Sequence, residues 1–238
     1  MRVLVGTSGY SYAPWKGSFY PEKLPAAKML AFYATRLPTV EINNTFYRMP
    51  AAEMLQRWAA ETPDSFSFVL KSPRRITHEK RLLDAGDPAR RFYEIAAALG
   101  PKLGPQLFQL PPNLKKDVPR LEAFLTQVRA AAPGARPAFE FRHASWFDDE
   151  VYAVLRAHQA ALCIAEDEEL ATPFEATADW GYLRLRRQDY DDAALAAWAE
   201  RLRARAGAWS EAHVFFKHED EGKGPKLAAS MIALCGQM

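Results

Sequence analysis

Short apolar runs recur along the chain, and each ends in a polar or charged residue that opens a loop. Residues 3–5 run into Gly6, 39–42 into Asn43 and Asn44, 66–70 into Lys71, and 106–110 into Pro111 and Pro112. A run beginning near Pro137 continues through 139–147. Residues 161–165 end in Glu166, Asp167, Glu168 and Glu169, 182–185 in Arg186 and Arg187, and 213–216 in Lys217 and His218. Near-continuous apolar runs of this length are the mark of strands buried on both faces. Between them, stretches at 26–37, 51–61, 88–99, 118–132, 148–157, 191–205 and 225–234 predict helices, with Pro50, Pro88, Asp148 and Asp191 marking starts.

Eight strands alternating with helices call for a parallel sheet covered by helices, and eight such units in 238 residues predict one (β/α)₈ TIM-type barrel over 1–238. The unit between strands six and seven is the irregular one, because 172–179 carries no helical stripe. An open doubly wound sheet is the rival, but GTSGYSY after the first strand lacks the GxGxxG spacing of its phosphate turn.

Composition narrows the class without naming a function. A hydrophobic share of 49% with 25% charged residues is ordinary for a soluble globular chain, and a net charge of +2 is too mild to imply nucleic acid by itself. Cys163 and Cys235 lie outside any CxxC pair, so reduced thiols are expected. No run approaches the roughly 18 apolar residues of a membrane span, which gives a cytoplasmic protein without a membrane partner as the expectation. Oligomeric state is not legible.

The chemistry concentrates at strand ends. In FEFRHASWF (139–147), Glu140 and Arg142 share one strand face while Phe139 and Phe141 share the other. Burying an acid and a base together is costly unless they pair or bind something. Glu41 with Asn43, Lys71, Gln109, Arg184 with Arg186, and Lys217 with His218 all follow the same order, apolar first and polar last. In a barrel these positions converge on the C-terminal rim, where TIM-barrel sites lie. Fixed cations there (Lys71, Arg142, Arg184, Arg186, Lys217) suit a phosphate- or carboxylate-bearing ligand. Glu140 and Glu41 are the acid/base candidates of such an enzyme, a hydrolase or lyase. Mutual ion pairing within the mouth is the plain alternative.

Two further readings stay open. The aromatic first loop (Tyr10, Tyr12, Trp15, Phe19, Tyr20) and the basic third loop (Arg74, Arg75, Arg81) together would suit stacking and phosphate contacts with nucleic acid; the loop aromatics would equally suit a plug over the core. No cofactor is predicted. A divalent metal would have to gather His78, His143, His218, Glu166 and Asp167, which form no HxH or HExxH pattern. Ser8 lacks the GxSxG setting of a hydrolase nucleophile.

Five ordered motifs carry a resemblance: GTSGYSYAPWKGSFYP (6–21), VEINNTFYRMP (40–50), TPDSFSFVLKSPRRITH (62–78), LGPQLFQLPPN (103–113) and FEFRHASWF. At these the chain resembles the YecE-like family, also called domain-of-unknown-function 72. The resemblance implies a TIM-type barrel without an established activity, similar in fold to endonuclease IV and sugar-isomerase barrels. An endonuclease IV-like phosphodiesterase and a non-catalytic ligand-binding barrel are therefore further alternatives. Glu41, Asn43, Thr45, Tyr47, Lys71, His78, Gln109, Glu140, Arg142, His143 and Trp146 fall on motif positions, and Asn43, Tyr47, Gln109, His143 and Trp146, with Tyr10 and Trp15 of the first loop, join the rim cations as expected substrate contacts. The C-terminal third departs: Arg186 and Arg187 stand where the family commonly shows His-Gly, and Lys217 and His218 where it shows paired Asn. Gly224, Pro225 and Ala228 retain part of the motif that follows.

Overall fold

The computed structural model describes residues 1–166 and 170–236. Strands β1 (Arg2–Ser8), β2 (Thr39–Ile42), β3 (Ser67–Lys71), β4 (Leu103–Gln109), β5 (Pro137–Glu140), β6 (Ala161–Glu166), β7 (Trp180–Leu185) and β8 (Glu211–Phe216) pair in parallel in chain order. β8 returns to β1 in the register Arg2↔Glu211 to Thr7↔Phe216 and closes the barrel. Helices α1 (Met29–Ala34), α2 (Ala52–Ala60), α3 (Gly86–Ala96), α4 (Val118–Ala131), α5 (Asp149–Ala157), α6 (Asp192–Arg203) and α7 (Lys223–Cys235) fill the crossovers. Among the described residues, the β6–β7 connection holds no helix, as its missing stripe implies.

The two side-chain parities of each strand do different work. Val69, Leu107, Ala138, Cys163, Tyr182 and Phe215 form a separate cluster that fills the barrel itself. Their neighbours of opposite parity, among them Phe68, Phe108, Phe139, Ile164, Leu183 and Phe216, belong to the larger core between sheet and helices. Both faces are thus dry, which is why the strands read as unbroken apolar runs. Gly6 lets β1 approach β2 closely; a Cβ there would meet the Thr39 carbonyl oxygen at 2.0 Å.

Element ends differ from the sequence pattern for local reasons. The predicted helix at 26–37 is α-helical only over Met29–Ala34, between Pro25 and Pro38, which constrain its entry and exit. β4 begins three residues before its apolar run, and the β3–β4 register shifts between Phe68 and Leu70, beside Pro105, which has no N–H to give a ladder. β8 starts at the polar Glu211 because Arg2 (3.6 Å), Arg136 (2.9 Å) and His213 (2.8 Å) satisfy that carboxylate at the N-terminal end of the barrel. Asp117, Asp148 and Asp191 accept hydrogen bonds from Arg120, Glu150 and Ala194 N–H groups and cap α4, α5 and α6. No described helix is long and apolar enough to cross a membrane.

Candidate functional site

Extending the barrel-filling parity by one step toward the C-terminal rim replaces apolar side chains by charged ones. Val69 is followed by Lys71, Ala138 by Glu140, and Tyr182 by Arg184. Register sets Ser8 beside Glu41 and Gln109 beside Glu140. The result is a sealed polar layer across the barrel. Arg184 of β7 places Nη2 2.8 Å from Glu41 Oε1 of β2, while its Nη1 donates to Glu140 Oε2 of β5. Ser8 Oγ donates to Glu41 Oε1 at 2.7 Å and the Tyr182 hydroxyl donates to Glu41 Oε2. Asn43 Nδ2 approaches Glu41 Oε1 at 3.4 Å.

Both carboxylates are completely enclosed, so their ionisation depends on these partners. Burial alone would raise the Glu140 carboxyl. The Arg184, Arg142 and Arg186 charges outweigh it and hold Glu140 down to about 2. Burial likewise opposes Glu41, and Arg184 together with the Tyr182 and Ser8 hydroxyls keeps it below its ordinary value. Arg184 stays charged because the two carboxylates offset its own burial. Both enclosed carboxylates therefore favour their ionised form. In this arrangement Glu140 and Glu41, the expected acid/base pair, both hold arginines.

Above this layer the cations become progressively more accessible. Side-chain exposure rises from 2% at Arg184 to 12% at Arg186 and 20% at Arg142. Arg142 Nε lies 2.6 Å and Arg186 Nη1 3.8 Å from Glu140 Oε1. Lys217 is exposed at the end of β8. Lys71 is half-buried with Nζ 4.3 Å from the centroid of the Phe46 ring. Burial, reinforced by Arg184 and then opposed by Glu41 and Glu140, pulls the Lys71 amine down to about 8. The loop that follows opens with a π-helical turn (Arg75–Glu79) and carries Arg81, Leu82 and Asp84 at φ of +50°, +67° and +48°, conformations costly for side-chain-bearing residues.

Other candidates fall elsewhere. Trp146 is enclosed, stacked on Phe141 with centroids 4.7 Å apart, and donates Nε1–H to the Leu114 carbonyl at 2.7 Å. Trp15 is enclosed too and donates to the Glu219 carbonyl at 3.1 Å. Both were expected at the ligand, and both are enclosed as packing anchors, their N–H groups spent on carbonyls of the loops after β4 and β8. The aromatic loop packs as a plug: Trp15, Phe19 and Tyr20 pack together, and Phe19 and Tyr20 pack on Phe32. Tyr10 lines a small cavity of about 100 Å³ with Gly9, Tyr12, Asn43 and Trp58. Tyr47 is 75% exposed, edge-on to Phe46. His143 accepts from the Ser145 N–H at 3.2 Å and caps the turn after β5. In the basic loop, Arg74 pairs with Glu79 at 3.2 Å and Arg81 donates to Asn113 at 2.9 Å.

Of the residues that a divalent metal would have to gather, the described ones have other partners. Glu166 has the outward parity and accepts from Trp198 Nε1 of α6 at 2.9 Å. His218 Nε2 donates to the Arg187 carbonyl at 2.7 Å, and His78 Nδ1 meets Thr77 Oγ1 at 2.9 Å. Asp167 lies outside the described residues. Among the described residues, no three His, Cys, Asp or Glu side chains gather closely enough to hold an ion. Sequence reasoning missed Ser8 and Tyr182. Tyr182 was legible in principle, since it shares the parity of Arg184.

Comparison with known proteins places this barrel among relatives. A family model described as "Protein of unknown function DUF72" matches residues 4–238. UPF0759 protein YunF of Bacillus subtilis (strain 168) is 31% identical over 158 residues, 63% of this chain and 54% of its own length. UPF0759 protein YecE of Escherichia coli (strain K12) is 32% identical over 117 residues, 48% of this chain and 42% of its own. The chain thus spans about half the length of the curated relatives it matches. A DUF72 family protein from Thermotoga maritima MSB8 superposes with a TM-score of 0.87 at 27% identity, covering 99% of this chain and 100% of the other. A glycoside hydrolase family 30 subfamily 8 xylanase from Clostridium acetobutylicum shares the fold alone, with a TM-score of 0.56 at 11% identity over 98% of this chain and 71% of its own.

Proposed function

The chain belongs to the DUF72 family, and from that premise we propose that it is an enzyme whose barrel mouth holds the phosphate or carboxylate of a small substrate between Arg142, Arg186 and Lys217. One observation supports this above the rest. Glu140, sealed under the mouth, draws Arg142 and Arg186 to one carboxylate oxygen and Arg184 to the other, which fixes cations from the ends of β5 and β7 around one carboxylate. Oriented guanidinium groups recognise planar or tetrahedral oxyanions without a large ordering cost.

The same carboxylates count against a glycosidase. That chemistry needs one carboxyl protonated at working pH and the other ionised, facing each other across the substrate. Here both carboxyls are held below their ordinary values by arginine, and both face one guanidinium. The plugged aromatic loop and the internal contacts of Arg74 and Arg81 leave the nucleic-acid reading without a comparable support.

Calorimetric titration with phosphate, pyrophosphate and oxalate tests the proposal. Binding that weakens at least tenfold in Arg142→Gln or Arg186→Gln, with an unchanged circular dichroism spectrum, is expected. Absence of binding at millimolar concentrations, or binding indifferent to both substitutions, would overturn it.

A further inference from the structure

Lys71 is a half-buried amine at the mouth that the anion-binding arrangement does not employ. It stands at the end of β3 with the inward parity of Val69, so its chain enters the mouth from the side facing Arg184. The two carboxylates that could neutralise it are committed to arginines, and among the described residues no carboxylate lies within ion-pair distance of Nζ. The charged groups that act on it are Arg184 and Lys217, which disfavour its ammonium form, and Glu41 and Glu140, which favour it. His78, edge-on to Phe46 at 4.9 Å, is the nearby titratable side chain on the following loop, and its own proton affinity is lowered by burial and then by Lys71. Phe46 closes one side of the amine with its ring face, a cation–π contact that favours the ammonium and offsets part of the effect of burial.

A lysine desolvated beside other cations is one of the recognised routes to an activated amine nucleophile. We propose that Lys71 is such a nucleophile and condenses with the carbonyl of a small anion-bearing aldehyde or ketone, a 2-oxo acid being the simplest case. The proposal rests on the anion-binding reading of the mouth, since Arg142 and Arg186 would hold the acid group while the carbonyl carbon meets Nζ. In the step, the uncharged Nζ gives its electron pair to the carbonyl carbon, and the C=O π pair moves to oxygen. Proton transfer from nitrogen to oxygen gives the carbinolamine. The C–O bond then breaks, and water leaves with the carbonyl oxygen and the two former amine hydrogens. A C=N bond remains. Nothing is oxidised or reduced, and hydrolysis reverses the step.

A lowered proton affinity makes this feasible near neutrality. Moving the amine from its ordinary 10.5 to about 8 raises the uncharged share at pH 7 by about 300-fold.

The experiment is reductive trapping of the full chain with pyruvate or glyoxylate and sodium cyanoborohydride at pH 7, read by peptide mass mapping. Lys71 is expected to be modified at least tenfold faster than Lys80 or Lys217 on the same chain, a comparison that needs no variant. Lys71→Arg, checked by circular dichroism, should lose that adduct and keep the slow background on the other lysines. Modification spread over the lysines by exposure alone would overturn the proposal. The two readings fail separately. Phosphate bound without a Lys71 adduct removes the imine step and leaves the anion site. A Lys71 adduct that excess phosphate cannot slow keeps the nucleophile and removes the anion site.

Discussion

Arg184 Nη2 lies 2.8 Å from Glu41 Oε1, an ion pair that ties strand seven to strand two through the inside of the barrel. The same guanidinium reaches Glu140 of strand five, so one buried side chain joins three strands. Removing a single member strands charge in a dry interior. Arg184→Met should therefore cost about 3–5 kcal/mol, because two enclosed carboxylates lose their shared counter-charge. Urea unfolding midpoints would measure this. A loss under about 1 kcal/mol would show that water already reaches the layer, since solvent would then screen the orphaned charges.

Acid should attack the same layer. Glu140 is held at about 2 in the folded chain against an ordinary value of 4.5. A depressed carboxyl contributes stability that is fully present above the unfolded value and fades as pH falls through the folded one. The window is thus about pH 4.5 to 2, and the contribution at stake is on the order of 3 kcal/mol. Glu211, also lowered to about 2 through His213 and Arg136, loses its share over the same interval at the opposite end of the barrel. Glu140→Gln imitates the protonated form. Its stability deficit relative to the natural chain should be largest near pH 6 and close as pH approaches 2. A deficit that stays constant across that range would refute the assignment.

Much of this architecture was legible because a closed parallel barrel makes every strand bury both faces, and eight such runs are hard to mistake. The shared parity of Glu140 and Arg142 was legible for the same reason. Their partners were not. Arg184 lies 143 residues from Glu41 and 44 from Glu140, and no local pattern pairs residues across a barrel interior. Glu166 sits at a strand end like Glu140, yet it carries the opposite parity and turns to Trp198; position alone misled where parity would have decided. Tyr182 reads as an apolar strand residue until its hydroxyl is seen spent on Glu41. Aromatic residues in a loop are the hardest case, since a plug and a stacking platform share one composition.

That ambiguity yields a test at Trp146. Its ring is sandwiched in the core and its N–H ends on a backbone carbonyl, so it serves packing rather than ligand contact. Trp146→Phe keeps a flat ring against Phe141 but leaves the Leu114 carbonyl without its donor. A loss of about 1–3 kcal/mol in unfolding free energy is expected from the orphaned acceptor and the smaller ring. Phosphate affinity should stay within twofold. A tenfold loss of affinity with unchanged stability would return Trp146 to the binding site.

Lys71 makes the opposite prediction, a substitution that stabilises. The folded chain lowers its proton affinity, chiefly through burial and then through Arg184, so at neutral pH folding works against an ammonium that the unfolded chain carries freely. For a base depressed in the folded state, the unfolded chain binds more protons between about 8 and 10.5, and stability rises with pH across that interval. Lys71→Met keeps the apolar stem near Phe46 and removes the charge. At pH 7 it should stabilise the chain by about 1–2 kcal/mol, discounted for the solvent that reaches a half-buried group. Near pH 10 the advantage should shrink toward zero, because the natural lysine is by then uncharged in the folded chain. Thermal unfolding of both proteins at the two pH values would decide it. A destabilised Lys71→Met at pH 7 would mean that the ammonium is held by favourable contacts. The amine would then be a structural cation, and the strain that a reactive lysine imposes on its own fold would be absent.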